Sequence, residues 1–305
     1  MVPEFVLSSM TAPSSVRRSA WMNGIMQIHV TRLCDLSCSN CTQGSQFAGK
    51  AHFITPDNFE LACKSLRDYF GLVGVFGGNP ALHPQFELLC EILRSHFPVS
   101  KCGLWCNHPR GKAKIMRQTF NPAMSNLNVH LSREAFDEFK SGWPESRPFG
   151  LNDDSKHSPV HGAMSEIIES QDEIWNRIAK CDINKHWSAM MCQIRGSLFG
   201  FFCEVAGGQA VLRQDDESYS HSGVQVTDST LNWWKNGMHY FSAQVENHCT
   251  RCLVPLRGTP SFARGEKTTR IGTDYQSLTP KSGHSLLQII DVQSNDSRKV
   301  VDYIR

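Results

Sequence analysis

The sequence predicts an α/β fold organised on a parallel sheet, on three observations. From Trp21 onward, short strand-like apolar runs take turns with segments of helical spacing. Four such strand–helix units fit before residue 145, each of roughly 25 to 40 residues, as a crossover unit requires. The chain has 305 residues, 40% of them hydrophobic, enough for one barrel-sized core and a smaller region beside it.

Residues 1–20 are rich in Ser, Pro and Ala and read as a loose arm. The first strand is expected over Met26 to Thr31. A helix should begin at Thr55-Pro56, because Thr is a good N-cap and Pro suits the first helical position. Phe59, Cys63, Leu66 and Phe70 then share one face, and Gly71 closes the helix. The second strand, Leu72 to Phe76, runs into Gly77-Gly78-Asn79-Pro80. A helix opening at His83-Pro84 carries Phe86, Leu89, Leu93 and Phe97 on its core face. A third strand covers Lys101 to Cys106, followed by a helix near Lys112 to Phe120. The fourth strand is Asn126 to Leu131, alternating Leu127, Val129 and Leu131 against Asn128 and His130. Its helix is Arg133 to Lys140. Beyond Trp143-Pro144 the signal thins, to a short strand at Ser158 to Gly162, a helix at Ser165 to Lys180 burying Ile168, Trp175 and Ile178, and a sixth strand near Trp187 to Met191.

Bulk properties narrow the function. A net charge of +2 with 20% charged residues gives no strong signal for nucleic acid. The apolar runs are too short to span a bilayer, and no basic region precedes the apolar patch Phe5-Val6-Leu7, so it does not read as a secretory signal. Twelve cysteines without that signal point to metal or redox chemistry in a reducing cytoplasm.

Three of those cysteines, Cys34, Cys38 and Cys41, lie in T-R-L-C-D-L-S-C-S-N-C-T-Q, directly after the first strand. Three thiolates on one short loop can ligate three irons of a cubane cluster and leave the fourth iron open. Zinc is the other soft-metal reading, although zinc sites more often gather four ligands in two C-x2-C pairs. Gly77-Gly78-Asn79-Pro80 follows the second strand, where parallel sheets place ligand contacts and glycines admit close backbone approach. Farther on, Cys192 and Cys203 bracket a hairpin with Gly196 or Gly200 at its turn, and Cys249 and Cys252 form C-x2-C. Those four can enclose one metal centre, zinc or a four-iron cluster, with Cys181 as the alternative to Cys192. Cys63, Cys90, Cys102 and Cys106 read as core thiols. Trp187, Trp233 and Trp234 read as aromatic core or pocket wall, and His157, His161 and His186 as polar groups near the sheet's mouth.

The C-x3-C-x2-C loop after the first strand, with the glycine segment one unit later, resembles the radical SAM superfamily. The resemblance implies a partial (β/α)6 barrel, open on one side, and a [4Fe-4S] cluster on Cys34, Cys38 and Cys41. S-adenosylmethionine (SAM) would chelate the open iron and be cleaved to methionine and a 5'-deoxyadenosyl radical, which abstracts hydrogen from a substrate. The family's G-G-E-P segment binds the methionyl amino group, so Gly77, Gly78, Asn79 and Pro80 are the corresponding positions, with Asn79 where the family has Glu. Ser132 lies where the family often contacts the ribose, although a helix N-cap suits it too. Asn107 and His108 could face the same mouth. Asn40 replaces the usual aromatic before the third cysteine, which leaves adenine to main chain near Val129 or Leu131.

The C-terminal third is similar to the auxiliary-cluster extensions called twitch and SPASM. The full SPASM set of seven cysteines is not met, so one auxiliary cluster is expected. The resemblance divides the chain into an arm (1–20), the partial barrel (21–186), the auxiliary-cluster region (187–262) and a tail (263–305). It also implies a flavodoxin or ferredoxin as electron donor. Family members with one auxiliary cluster act on peptides, sugars, aminoglycosides and nucleosides. H-C-x2-C-x-V-P-L-R-G together with F-F-C-E-V-A-G looks like radical SAM proteins of phage-like and polysaccharide contexts, a hint towards carbohydrate or modified-base substrates. The rival from another class is a non-catalytic zinc-binding interaction or nucleic-acid module.

Overall fold

The computed structural model describes residues 1–13, 24–36, 38, 41–45, 51–151, 160–181 and 188–256. The expected loose arm begins instead with a helix, α1 (Glu4–Ser9). Its Val6 and Leu7 are buried while Phe5 stays exposed, so the apolar patch is a docking face. The central strand β1 (Ile25–Thr31) is buried over nearly its whole length. Helix α2 (Pro56–Ser65) starts as read, with the Thr55 hydroxyl accepting from Asn58 N at 3.3 Å. It stops at Ser65, earlier than the expected Gly71, and Tyr69 takes the core position that spacing gave to Phe70. Phe70 is exposed and leans on Tyr69, with ring centroids 4.8 Å apart.

Strand β2 (Leu72–Gly77), helix α3 (Phe86–His96), strand β3 (Cys102–Leu104), helix α4 (Ala113–Thr119) and helix α5 (Arg133–Gly142) continue the rhythm. Helix α6 (Gln171–Ala179), strands β4 (Ser188–Ile194) and β5 (Ser197–Phe201), helix α7 (Glu204–Leu212), strand β6 (Val224–Gln225) and helix α8 (Ser242–His248) follow. The result is a mixed α/β architecture on one six-stranded sheet of order β3-β2-β1-β4-β5-β6. β3, β2, β1 and β4 run parallel, and β5 and β6 are antiparallel additions. The single sheet crosses residue 187, so the C-terminal region is continuous with the rest at β1–β4. Strand order also changes direction at β1, and the crevice outside the carboxyl end of such a strand is where open α/β sheets bind ligands.

The expected fourth strand survives only as parallel bridges, Trp105 to Asn126 and Asn128 to Phe149. Leu127 and Val129 are buried as the alternation required. The extended run is broken because Asn128 Oδ1 accepts from His130 N at 3.1 Å, and His130 and Leu131 take positive φ of 44° and 66°. The hairpin turns at Arg195-Gly196, both at positive φ, as a tight two-residue turn demands. Trp233 and Trp234 are core: Trp233 covers Gly200, and Trp234 donates to the Ser65 carbonyl at 2.9 Å. Among the described residues no helix is long and apolar enough to cross a membrane.

Candidate active site

Two loops leaving adjacent parallel strands are joined by backbone. Gly78 N donates to the Thr31 carbonyl and Asn79 N to the Leu33 carbonyl, each at 2.7 Å. A Cβ on Gly77 would strike the Thr31 carbonyl, and one on Gly78 the Leu33 carbonyl, so both glycines are needed for this approach. The glycines therefore bring the segment against the cysteine loop itself. Asn79 is fully buried. Its amide donates to the His108 carbonyl at 3.0 Å, and its oxygen accepts from Ala81 N and the Cys106 thiol, both at 3.2 Å. A neutral amide satisfies both kinds of partner, whereas a glutamate there would bring a buried charge against a carbonyl. Pro80 opens the short 3-10 turn that Asn79 caps.

On the cysteine loop, Cys34 is buried and its Sγ accepts from Leu36 N at 3.4 Å. Cys41 N donates to the Cys38 carbonyl at 3.1 Å, and Cys41 Sγ accepts from Ser45 N at 3.4 Å. Amides aimed at sulfur stabilise thiolate and tune the potential of whatever it ligates. All twelve cysteines are free thiols. Among the described residues, no three His, Cys, Asp or Glu side chains converge where one metal ion would sit. Asn40, His157, His186 and Trp187 lie outside the described residues.

Beside Cys34 opens a polar cleft of about 480 Å³, mouth included, lined by Asp35, Asn107, His108, Arg110, Val129 and Ser132 among others. Asp35 is its buried charge, taking Arg110 Nε at 3.1 Å and Nη2 at 2.5 Å on one oxygen and Asn107 Nδ2 at 2.5 Å on the other. Burial works to raise its pKa, but the Asn107 and Arg110 hydrogen bonds outweigh that and hold it below the usual carboxylate value. Burial, then Arg110, lowers the pKa of His108. Arg110, His130 and Leu131, all non-glycine residues at positive φ, cluster around this cleft, where such strain often marks a functional site. Ser132 lines the cleft, and its hydroxyl is engaged as the α5 cap, accepting from Ala135 N at 3.2 Å.

The second cysteine set corrects one expectation. Cys181, Cys203, Cys249 and Cys252 line a single apolar pocket with Ile178, Phe202, Val205 and Val254, and Cys192 is not part of it. Hairpin register explains why. Cys192 pairs with Phe199, while Cys203 lies beyond the end of β5 and level with Ser188. The two cysteines are therefore four strand positions apart, roughly 13 Å at the rise of an antiparallel strand. Cys192 instead faces the Gly207 carbonyl at 4.0 Å. Cys181 reaches the pocket from the end of α6, its N–H bonded to the Ile178 carbonyl at 3.0 Å. Burial, then the neighbouring thiols, pushes Cys203 and Cys249 well above the usual thiol range. The pocket holds about 350 Å³ of empty space, mouth included.

The two sets are held together by His161, which the sequence marks only as a polar group near the sheet's mouth, and by a helix that the sequence does not announce. His161 Nε2 donates to the Cys41 carbonyl at 3.0 Å, and its backbone bridges to Cys252. Helix α7 packs Gly208 against the Thr42 carbonyl, and its Leu212 sits where a Cβ on Gly44 would be. The available signal was V-A-G-G-Q-A-V-L, with no charged face and only Gln209 polar, as a fully enclosed helix reads. Asp35 and Arg110 carried no motif; only the fold pairs them.

No family model matches the chain, and no curated protein matches it. Among solved structures, that of BtrN in complex with AdoMet and 2-DOIA is similar in fold. It has a TM-score of 0.46 and 12% sequence identity, over 81% of this chain and 97% of that one.

Proposed function

We propose that this chain is a radical SAM enzyme with one auxiliary iron–sulfur centre. The observation that supports it most is the joining of the Cys34–Cys41 loop to Gly77–Pro80 by two short backbone bonds, beside a polar cleft at the carboxyl end of the central strand. The donor set suits the group: three thiols on one loop, two of them already receiving backbone N–H. When bound, a four-iron cluster on Cys34, Cys38 and Cys41 supplies the electron that splits SAM and so generates the radical that attacks substrate.

The remaining work belongs to the chain. Gly77 and Gly78 fix the second loop against the first, and Asn79 ties that loop to the end of β3. Arg110 and Asn107 keep Asp35 ionised and fixed at the cleft wall. Cys181, Cys203, Cys249 and Cys252 would hold the auxiliary centre in a water-poor pocket. A flavodoxin-like or ferredoxin-like donor is the partner this chemistry needs.

Iron and acid-labile sulfide, counted on anaerobically purified protein, test the reading. Seven thiolate ligands predict roughly eight irons, about half of them lost when Cys34, Cys38 and Cys41 are all replaced by Ala. Stoichiometric zinc, with a colourless protein, would favour the binding-module reading.

A further inference from the structure

Each cysteine set contains a C-x2-C step, and the two steps are closed alike. Cys41 N donates to the Cys38 carbonyl at 3.1 Å, and Cys252 N to the Cys249 carbonyl at 3.3 Å. His161, at 2% exposure, lies between them and touches each with a different part of itself. Its ring Nε2 donates to the Cys41 carbonyl at 3.0 Å. That oxygen also accepts from Gly44 N at 3.2 Å, so the imidazole takes up its second lone pair. The His161 backbone pairs antiparallel with Cys252. The pairing is pinned on both sides, by Leu253 N on the Val160 carbonyl at 2.7 Å and by Gly162 N on the Arg251 carbonyl at 3.2 Å. Gln209 of α7, fully buried, adds its amide to the same Arg251 carbonyl at 2.9 Å.

We propose that His161 is a positioning residue that couples the two centres, so that each holds its metal more firmly when the other is filled. The proposal rests on the two-centre reading above. A centre seated on Cys249 and Cys252 restrains the backbone against which Val160, His161 and Gly162 are paired, and with it the imidazole. The imidazole in turn restrains the peptide that follows Cys41, and so the placing of that thiol. A hydrogen bond to a buried carbonyl is directional and has no water to replace it, so a shift at one step passes to the other. Coupling between two binding sites is reciprocal, and the first centre must steady the second by the same factor. α7 also reaches both loops, but at the first its contact is the packing of Gly208 on the Thr42 carbonyl, which sets distance and not orientation.

Metal release tests the coupling on whatever the sites hold. Anaerobic, fully loaded protein is challenged with ferrozine to capture iron and with pyridylazoresorcinol to capture zinc. The wild type is compared with a variant keeping only the first set (Cys203→Ala with Cys249→Ala) and one keeping only the second (Cys34→Ala with Cys38→Ala). Wild-type release should be at least about fivefold slower than the sum of the two single-set traces, the low end for coupled sites. His161→Phe with every cysteine intact should release metal as that sum, neither set leaving faster than it does alone. His161→Gln, whose side-chain N–H can donate to the same carbonyl, should keep the slow release. A wild-type trace equal to the sum, or His161→Phe release as slow as wild type, overturns the proposal. So does His161→Phe release faster than the sum, which would mean a damaged fold and not a lost coupling. The identity of the metal reports on the parent reading alone: zinc in place of iron would sink the enzyme, while the coupling would still stand or fall on the rates.

Discussion

The two cysteine sites are built in opposite ways. Cys34, Cys38 and Cys41 sit on one loop at the end of the central strand, beside a cleft whose wall is an ion pair and amides. Cys181, Cys203, Cys249 and Cys252 come from a helix end, a hairpin exit and a 3-10 turn, and meet in an apolar pocket. The first site has a polar side and the second an apolar lining. The comparison teaches that cysteine spacing along the chain reports the first set, while only tertiary structure gathers the second.

The sharpest way to break the comparison is to exchange the candidate fourth ligand. Cys181→Ala should cost the protein about four of roughly eight irons, whereas Cys192→Ala should leave iron unchanged. Iron and sulfide counting decides it, and the reverse result would return Cys192 to the site. Next in size is the polar wall of the first site. Arg110→Leu leaves the buried Asp35 carboxylate without its cation, held only by neutral donors such as Asn107 and the Cys34 thiol, and removing one partner of a buried pair costs about 3–5 kcal/mol. Urea unfolding should show most of that loss, somewhat reduced because Arg110 is 30% exposed.

The smallest effect concerns pH. His52 is lowered from 6.5 to about 4 in the folded protein, chiefly by burial. The unfolded chain therefore binds its proton first as pH falls, and the stability held in neutral His52 is complete above 6.5 and drains away down to about 4. The single group contributes about 3 kcal/mol at most. His52→Gln should flatten the stability profile between pH 7 and pH 5 in denaturant titrations, and an unaltered slope would assign it to other groups.

Much of the fold was legible because its signals are local. Thr55-Pro56 starts a helix, Ser132 caps one, and Leu127 and Val129 are buried on alternation alone. The fourth strand failed where side-chain chemistry overrode alternation, at Asn128 and the positive φ of His130 and Leu131. α7 was invisible to periodicity because it is buried on every side, Glu204 and Gln209 included. The cysteine loop was legible since its three thiols are neighbours in sequence. Cys181 was left as an alternative to Cys192 because the hairpin register that separates Cys192 from Cys203 is not written in cysteine spacing. The two-way hydrogen bonding of Asn79 was not legible, because its partners Cys106 and His108 lie beyond the next strand.

Release of 5'-deoxyadenosine tests the central claim most directly. Anaerobic wild-type protein, reduced with dithionite in the presence of SAM, should form 5'-deoxyadenosine and methionine in equal amounts, and the variant lacking Cys34, Cys38 and Cys41 should form neither. Iron-loaded wild type that leaves SAM intact, or a triple variant that still cleaves it, would contradict the account.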